Sequence, residues 1–390
     1  MLKADREADS GARRPGDVRL LVLATAGHKP SDEELRRLIA EDLRPDAILA
    51  EDSLGATSLD ERDLARIPGL HGRVLQRLPV PIALALEVWR RRHDFDAVLS
   101  WGEQLAFPLA LLLTLSPRRR MAHIGILMWP CYTSSSSRLK LWIRQVVFPL
   151  LARHGMDRLL VPAPRQRALV IERWGISPEH FVPAGWPVDT RFWRPMDGPQ
   201  DTICSVGREM RDYGTLITAL RTLDLPCHIA TGASLLNPAT ADDPRASNVD
   251  ATSLPAGITV GHKSALELRE LYGRSRLVVV PIMPSESDNG ATTIHEAMAM
   301  GRAVVTTATV GRTEILEDGV NCLLVPERDP VALREAIERL WNDSDLCARL
   351  GAAARERIGV ECSIDLWLAA IRAAAADAAS SRRRRANPLS

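Results

Sequence analysis

Cysteine is scarce in this chain of 390 residues, and its spacing disfavours two classes of protein. The six cysteines are scattered, and no two of them form a Cys-x-x-Cys pair. A zinc knuckle needs closely spaced thiols, and a disulfide framework needs paired ones. The cysteine pattern therefore indicates a reducing compartment, and it disfavours both a zinc knuckle and a disulfide framework.

Long apolar runs and a charge of one sign are also missing. The longest apolar run, residues 105–115, is too short to span a bilayer. Residues 1–7 lack the apolar core of a secretory signal. The net charge of +1 gives no overall attraction to nucleic acid. These absences predict a cytoplasmic protein without a nucleic-acid partner.

The chain is too long for one compact core, so two domains are expected. Short apolar strands alternate with helical patterns in both halves, which is typical of an α/β fold with parallel, doubly wound sheets. A stretch rich in Pro and Gly separates the halves at about 190–199. The predicted parts are a disordered segment 1–16, a first Rossmann-like domain 17–190, a second Rossmann-like domain 200–362, a helix 363–378 and a disordered basic tail 379–390.

Residues 284–301 carry the strongest functional signal. The apolar run 277–280 predicts a buried strand, and a turn of small residues then leads into a helix over 294–300. Such a turn presents backbone N–H groups that bind phosphate. Two carboxylates, Asp288 and Glu296, stand eight positions apart, where they can reach hydroxyl groups. The segment therefore predicts a site for a phosphate flanked by sugars, which describes a nucleotide sugar.

A second segment, 205–213, places two guanidinium groups just after a strand that ends at Gly207. Arg208 and Arg211 follow within four positions of that glycine. The planar fork of arginine suits phosphate oxygens, and fixed cations stabilise the charge that develops on a departing diphosphate. Both arginines are therefore candidate contacts of a leaving diphosphate.

Together these segments resemble the retaining GT-B glycosyltransferases, in particular glycosyltransferase family four. The family signature begins with a Glu and has a second Glu eight positions later. Asp288 stands in place of the first Glu, and the second part of the signature matches Glu296-Ala297-Met298-Ala299-Met300-Gly301. Val206-Gly207-Arg208 matches a second element, and Arg211 falls where the family has Lys. The resemblance covers roughly residues 202–360 well and the first half in outline.

The resemblance implies a GT-B fold, in which an acceptor domain and a donor domain face each other across a cleft. It further implies that Glu296 holds the ribose, that Asp288 holds sugar hydroxyls, and that helix 363–378 crosses back to the first domain. His123, at the end of a short strand of the first domain, would lie near the donor sugar. The other implied donor contacts are the base loop Gly261 and His262, the turn residue Gly27, and the phosphate-binding residues Asn289, Gly290, Ala291, Thr292 and Thr293.

The implied reaction is metal-independent transfer of a hexosyl unit from a nucleotide diphosphate sugar to an acceptor hydroxyl, with retention of configuration. The acceptor would be a sugar, a glycolipid or a small molecule. A GT-B epimerase or phosphorylase and a non-catalytic nucleotide- or carbohydrate-binding protein remain alternatives. A nicotinamide dehydrogenase is disfavoured, because no Gly-x-Gly-x-x-Gly follows a strand. No cofactor beyond the donor sugar is expected.

Two further patterns receive a structural interpretation. Asp94-Phe95-Asp96 resembles a metal-binding string, but it precedes the strand at 97–99 instead of following it, so we expect a helix–strand loop and no metal site. The amphipathic segment 138–151 has basic residues beside its apolar face. That pattern favours a core-facing helix, with peripheral membrane contact as the second interpretation.

Overall fold

A computed structural model describes residues 18–25, 32–45, 54–116, 119–128, 130–131, 138–231 and 254–386. Two sequence-based predictions lie outside these ranges: the segment 1–16 and the candidate residue Gly27.

The first domain is built on a parallel sheet whose described strands have the order β2-β1-β3-β4-β5. Its strands are apolar and buried because helices cover both faces, as parallel sheets require. The second strand was not predicted. The bounds are Leu20–Leu23 (β1), Thr57–Leu59 (β2), Ala97–Trp101 (β3), Ala122–Ile126 (β4) and Arg158–Leu160 (β5).

The helices of this domain form two layers around the sheet. One segment, 138–155, contains a π-helical turn at Ile143–Val147 between two α-helical parts. The described α-helices are Asp32–Ala40 (α1), Glu61–Arg66 (α2), Gly69–Leu75 (α3), Val80–Arg90 (α4), Glu103–Thr114 (α5), Arg138–Trp142 (α6), Phe148–Gly155 (α7) and Pro164–Trp174 (α8).

The second domain contains a six-stranded parallel sheet with the order β11-β10-β9-β6-β7-β8. Read from the other edge, this is the Rossmann order, and the strand order reverses between β6 and β9. The bounds are Thr202–Val206 (β6), Cys227–Ala230 (β7), Ile258–Gly261 (β8), Ser275–Val280 (β9), Ala303–Thr307 (β10) and Leu323–Val325 (β11).

Helices of the second domain begin at side chains that cap their first N–H groups. Ser264 and Glu267 form a capping box, and Asp329 and Asp343 cap two later helices, so each of these helix starts follows a local sequence signal. The described α-helices are Tyr213–Leu220 (α9), Ala265–Arg274 (α10), Ala291–Ala299 (α11), Pro330–Asn342 (α12), Ser344–Glu361 (α13) and Ile364–Ala386 (α14).

The last helix, α14, leaves the second domain and packs on the sheet of the first. Trp367, Leu368 and Ile371 are buried in the same core cluster as residues of β3 and β4. The helix continues to Ala386, so the predicted disordered tail starts too early. The reason is electrostatic, because Arg382 Nε lies 2.6 Å from an oxygen of Asp157 and thereby ties the basic end to the first domain.

Hydrogen bonds connect the facing edges of the domains in the described ranges. Gln166 Nε2 donates to the Glu286 carbonyl oxygen at 3.2 Å, and His295 Nδ1 donates to the Trp186 carbonyl oxygen at 2.9 Å. The predicted arrangement of two doubly wound α/β domains across a cleft is confirmed.

Candidate functional site

The strand order of the second sheet reverses between the parallel strands β6 and β9, and this point places two loops side by side. In doubly wound sheets, ligands bind outside the carboxyl ends of the strands at such a switch point. The loop after β6 carries Arg211, and the loop after β9 leads into α11. Backbone hydrogen bonds join them, since Asp212 N donates to Pro281 O at 3.0 Å and Met283 N donates to Met210 O at 3.0 Å.

Arg211 is the central cation of this site. Its side chain is buried, and three hydrogen bonds fix the guanidinium: Nε to Val206 O at 2.9 Å, Nη1 to Glu209 O at 2.8 Å, and Nη2 to Thr293 Oγ1 at 3.2 Å. Arginine remains protonated when buried. The structure therefore holds a positive charge in one orientation at the start of α11.

Gly207 makes room for this guanidinium. Its φ of +117° lies in a region that side-chain-bearing residues rarely adopt. A Cβ at this position would lie 2.7 Å from Arg211 Cζ, closer than two non-bonded carbon atoms can approach. The glycine at the end of β6 is thus required by the position of Arg211.

The start of α11 supplies backbone donors next to Arg211. Gly290 precedes the helix with a φ of +91°, and the first intrahelical bond runs from Ile294 N to Gly290 O at 2.9 Å. The N–H groups of the preceding turn therefore have no acceptor within the helix. Asn289 orders the loop, because its Nδ2 donates to Ser285 Oγ at 2.7 Å. A helix start of this kind attracts anions.

A cavity of about 230 Å³ opens between the two domains at this point. Both loops of the second domain and three loops of the first contribute to it. The second domain contributes Glu209, Arg211 and the run 287–292, and the first domain contributes Met128, Pro162, Ala163 and Trp186. Of the residues predicted to bind the donor, the cavity brings together Arg211, Asp288, Asn289, Gly290, Ala291 and Thr292. Thr293 lies behind them and orients Arg211.

Asp288 is an unusual member of the cavity lining. Burial raises the pKa of this carboxyl to about 7, against the opposing effect of the Thr313 backbone N–H. Its Oδ1 oxygen is buried without a hydrogen-bond partner in the described structure. A buried polar atom of this kind is destabilising until a partner arrives, which points to a ligand with a donor group.

Glu296 lies one turn further along α11 and faces Tyr272. The tyrosine hydroxyl donates to Glu296 Oε2 at 3.1 Å. Burial raises the pKa of Glu296 to about 8, although this hydrogen bond and the Arg211 charge oppose the shift. The carboxyl is therefore largely protonated at neutral pH, so it can donate as well as accept a hydrogen bond.

These raised carboxyl pKa values predict a pH-dependent stability. The folded state holds protons on Asp288 and Glu296 up to about pH 7 and 8, whereas the unfolded chain releases them near pH 4. Burial lowers the pKa of His123 and His295, so these two residues make the unfolding free energy rise with pH. Their effect is confined to pH values below the ordinary histidine pKa of about 6.5. The unfolding free energy should therefore fall from about pH 6.5 to 8, by at most about 1.4 kcal/mol per pH unit and group.

Melting curves across this range measure the effect. Glu296→Gln combined with Asp288→Asn should flatten the decline in melting temperature. An equally steep decline in the double variant would contradict the assignment of the decline to these two carboxyls.

Arg208 is placed differently from Arg211. Its side chain is more than half exposed, and its Nη2 lies 3.5 Å from Oε1 of Glu209, which itself lines the cavity. Arg208 is not among the cavity-lining residues in the described part of the chain. The two arginines therefore do not form a matched pair in this structure, and Arg208 stays a proposed contact at the edge of the site.

Gly261 and His262 lie at the carboxyl end of β8, the edge strand of the second sheet. The carboxyl ends of parallel strands share one edge of the sheet, so this loop lies on the same side as Gly207. The two residues do not line the described cavity. Their predicted contact with a base remains a prediction.

The predicted contact of His123 with a donor sugar is wrong in this structure. The residue is inside β4 and fully buried, with Nε2 2.7 Å from Ser100 Oγ and Nδ1 3.1 Å from Gly155 O. Burial and the nearby Arg119 charge lower its pKa to about 3, so the ring is neutral. His123 is a structural residue of the first domain, because both ring nitrogens are occupied away from the cleft.

The Asp-x-Asp string at 94–96 has a structural partner. Asp96 precedes β3 at the edge of the sheet opposite the cleft, and its Oδ2 lies 3.2 Å from Arg19 Nε. In the described ranges no three His, Cys, Asp or Glu side chains are placed to hold a metal ion.

Sequence reasoning missed the contribution of the first domain. Trp186 and Ala163 lie in loops without a recognisable motif, and they meet the cavity only because the domains face each other. The Pro- and Gly-rich composition of 182–189 was the available signal for Trp186. Glu209 was overlooked between the two arginines.

The two parallel α/β domains and the cavity between them define a GT-B fold. A glycosyltransferase from Rickettsia africae has the same fold, with a TM-score of 0.63 and 15% identity over 93% of this chain and 98% of the other. HepE of Anabaena, solved with UDP-glucose, superposes with a TM-score of 0.63 and 16% identity, over 94% of this chain and 100% of the other.

Part of the second domain matches a family of glycosyltransferases. Residues 239–343 match the family model described as Glycosyl transferases group 1, and this range contains both Asp288 and Glu296. A D-inositol 3-phosphate glycosyltransferase of Frankia alni is 27% identical over 221 residues. That match covers 51% of this chain and 54% of the relative, so it spans about half of each protein.

Proposed function

We propose that this protein transfers a hexosyl unit from a nucleoside diphosphate sugar to an acceptor hydroxyl, with retention of configuration. The observation that carries the proposal is the interdomain cavity in which the fixed guanidinium of Arg211 meets the start of α11. The family match and the name of the Frankia relative support a glycosyltransferase. The UDP-glucose bound by HepE supports a donor of this class.

The diphosphate would lie against Arg211 and the N–H groups at the start of α11. Cleavage of the bond between the anomeric carbon and the β-phosphate oxygen leaves negative charge on that phosphate. A guanidinium and helix amides that are already oriented stabilise this charge without reorganisation. Arg211 is therefore assigned to the leaving group, and Arg208 would approach from the edge of the cavity.

The two carboxyl groups would hold the sugars on either side of the diphosphate. Asp288 offers a buried, unpartnered oxygen to a hydroxyl of the donor sugar. Glu296 would contact the ribose, and Gly261 and His262 would border the base. The Glu296 carboxyl, which already accepts a hydrogen bond from Tyr272, would accept a further one from a ribose hydroxyl.

The acceptor oxygen would bond to the anomeric carbon on the face that the phosphate leaves. Its proton would pass to the departing phosphate oxygen, as the resemblance to retaining GT-B enzymes implies. We propose that the phosphate charge is neutralised by Arg211 and the helix amides without a required metal ion. Turnover should then persist in excess EDTA, and loss that Mg²⁺ restores would contradict this part of the proposal.

Thermal unfolding with a panel of nucleosides, nucleoside diphosphates and nucleotide sugars tests the donor site. We expect one diphosphate to raise the melting temperature, because a ligand at 100 times its Kd adds about 2.7 kcal/mol of stability. The matching nucleoside without phosphates should have little effect. The absence of stabilisation by every diphosphate would contradict the proposal.

A donor-only incubation separates transfer from epimerisation. We expect the preferred nucleotide sugar to be consumed only when an acceptor hydroxyl is present, apart from slow hydrolysis. Conversion into a new nucleotide sugar without acceptor would identify an epimerase instead.

A further inference from the structure

The helical segment 138–155 of the first domain exposes apolar side chains. The exposed fractions of Leu139, Trp142 and Leu150 are 65%, 54% and 50%. The sequence favoured a core-facing helix here, and this expectation is wrong for these residues. They point outward because α7 packs on α5 through another part of its surface, which includes Phe148 stacked on Phe107 with ring centroids 3.6 Å apart.

The neighbouring helix α5 extends the same apolar surface. Leu111 on this helix and Leu115 just after it are both exposed, the latter by 72%. Between α4, α5 and α7 lies a groove of about 590 Å³ whose lining is mostly apolar, with Phe107, Pro108, Leu112, Phe148 and Leu151 among its members. An apolar surface of this extent is unusual for a protein face that meets only water.

This part of the chain is also strongly basic. The whole chain has a net charge of +1, but residues 104–156 contain no Asp or Glu. The same range contains seven basic residues: Arg118, Arg119, Arg120, Arg138, Lys140, Arg144 and Arg153. Two acidic residues flank this range: Glu103 lines the groove, and Asp157 pairs with Arg119. Residues 103–157 thus carry seven basic and two acidic side chains, a net excess of +5 in the segment with the exposed apolar residues.

A basic cavity marks one end of the apolar surface. It measures about 350 Å³, and it is lined by Thr114 and Ser116 beside Leu115, and by His154 at the end of α7. Arg119 and Arg382 line it while both are paired with Asp157, and Arg385 lines it with an exposed side chain. Both α5 and α7 thus run from exposed leucines to a cluster of guanidinium groups.

We propose that this face of the first domain rests on an anionic lipid bilayer. The side chains of Leu139, Trp142 and Leu150 would enter the interface between headgroups and acyl chains, where Trp and Leu partition favourably. The exposed guanidinium of Arg385 at the basic cavity would contact lipid phosphates. Two observations, apolar exposure and local positive charge, are satisfied by the same partner.

A second copy of the chain fits this surface less well. A symmetric dimer through the same face would bring two basic segments together, and like charges repel across an interface. An anionic bilayer instead complements the charge and covers the apolar residues. The groove between α4, α5 and α7 would take part of a lipid acyl chain.

Vesicle flotation tests the proposal and requires neither donor nor acceptor, so its result is independent of the proposed reaction. The full chain is mixed with vesicles of phosphatidylcholine alone or with phosphatidylglycerol added. We expect binding to the mixed vesicles to be at least about tenfold stronger, and to weaken with salt as the surface charges are screened.

Matched variants locate the contact. Leu139→Glu with Trp142→Glu should reduce binding by at least about tenfold, since apolar area no longer enters the interface. Val331→Glu with Val360→Glu adds the same charges at exposed apolar positions of the second domain and should leave binding unchanged. Arg385→Ala should weaken binding about fivefold. Unchanged melting temperatures establish that the variants are folded.

Three results would overturn the proposal. One is the absence of binding to phosphatidylglycerol vesicles at low salt, and another is an equal loss in both pairs of variants. The third is a concentration-dependent dimer that disappears in the Leu139/Trp142 variant, which would identify a second copy as the partner of this face.

Discussion

Arg211→Met should lower kcat by roughly 10²–10³-fold, the range observed when one charge-stabilising donor is removed from an active site. The loss follows from the geometry, because the guanidinium is fixed by Val206 O, Glu209 O and Thr293 Oγ1 beside the start of α11. If Arg211 acts on the leaving diphosphate, KM for the donor should change much less than kcat. Steady-state kinetics with the preferred donor measures both.

The control for this variant is a second buried arginine of the same domain. Arg211 and Arg302 are both 5% exposed, and Arg302 Nη2 donates to Met196 O at 3.0 Å, outside the described cavity. Arg302→Met should lower stability and leave kcat nearly unchanged. Arg211→Lys keeps the charge without the planar fork, and we expect an intermediate kcat. Equal kcat losses in the two methionine variants would mean that Arg211 acts only through the fold.

Gly207→Ala should reduce kcat by roughly 10²-fold although the residue contributes no side chain, because it displaces a charge-stabilising donor. The new Cβ would overlap the Arg211 guanidinium, with Cζ at 2.7 Å, and the φ of +117° adds backbone strain. The guanidinium is then expected to move away from the start of α11. Kinetics of the variant, compared with Arg211→Met, measures this effect.

A double-mutant cycle assigns the cause. If Gly207→Ala acts by displacing Arg211, the double variant should be little worse than Arg211→Met alone, since coupled residues are not additive. Gly319→Ala serves as a control for backbone strain, because Gly319 has a φ of +71° and a Cβ added there would have no atom within 4 Å. Independent, multiplicative losses in kcat would show that Gly207 and Arg211 act separately.

The parts of the site that depend on local sequence were predictable. The strand, turn and helix around Asp288 and Glu296 follow from an apolar run, small residues and a helical pattern, all within 277–301. The same holds for Gly207 and Arg211 after β6. These predictions need only neighbouring residues, because the switch point of a doubly wound sheet brings the two loops together by topology.

Other features depend on contacts between distant segments, and the sequence did not reveal them. His123 was assigned to the cleft by resemblance, as the end of a short strand, but the strand extends to Ile126 and encloses it. Arg208 and Arg211 look equivalent in sequence, and only the folded loop distinguishes the exposed side chain from the buried one. The amphipathic segment 138–151 shows an apolar face, but periodicity alone does not say whether that face is covered.

The course of α14 has a consequence for how the protein is made. Trp367, Leu368 and Ile371 complete a hydrophobic cluster whose other members include Leu20, Leu99 and Ile124, so the first domain lacks part of its core until these residues are available. Domains usually fold in the order in which the ribosome synthesises them. Here the second domain can finish first, and the nascent first domain must wait, with β3 and β4 uncovered, until α14 leaves the exit tunnel.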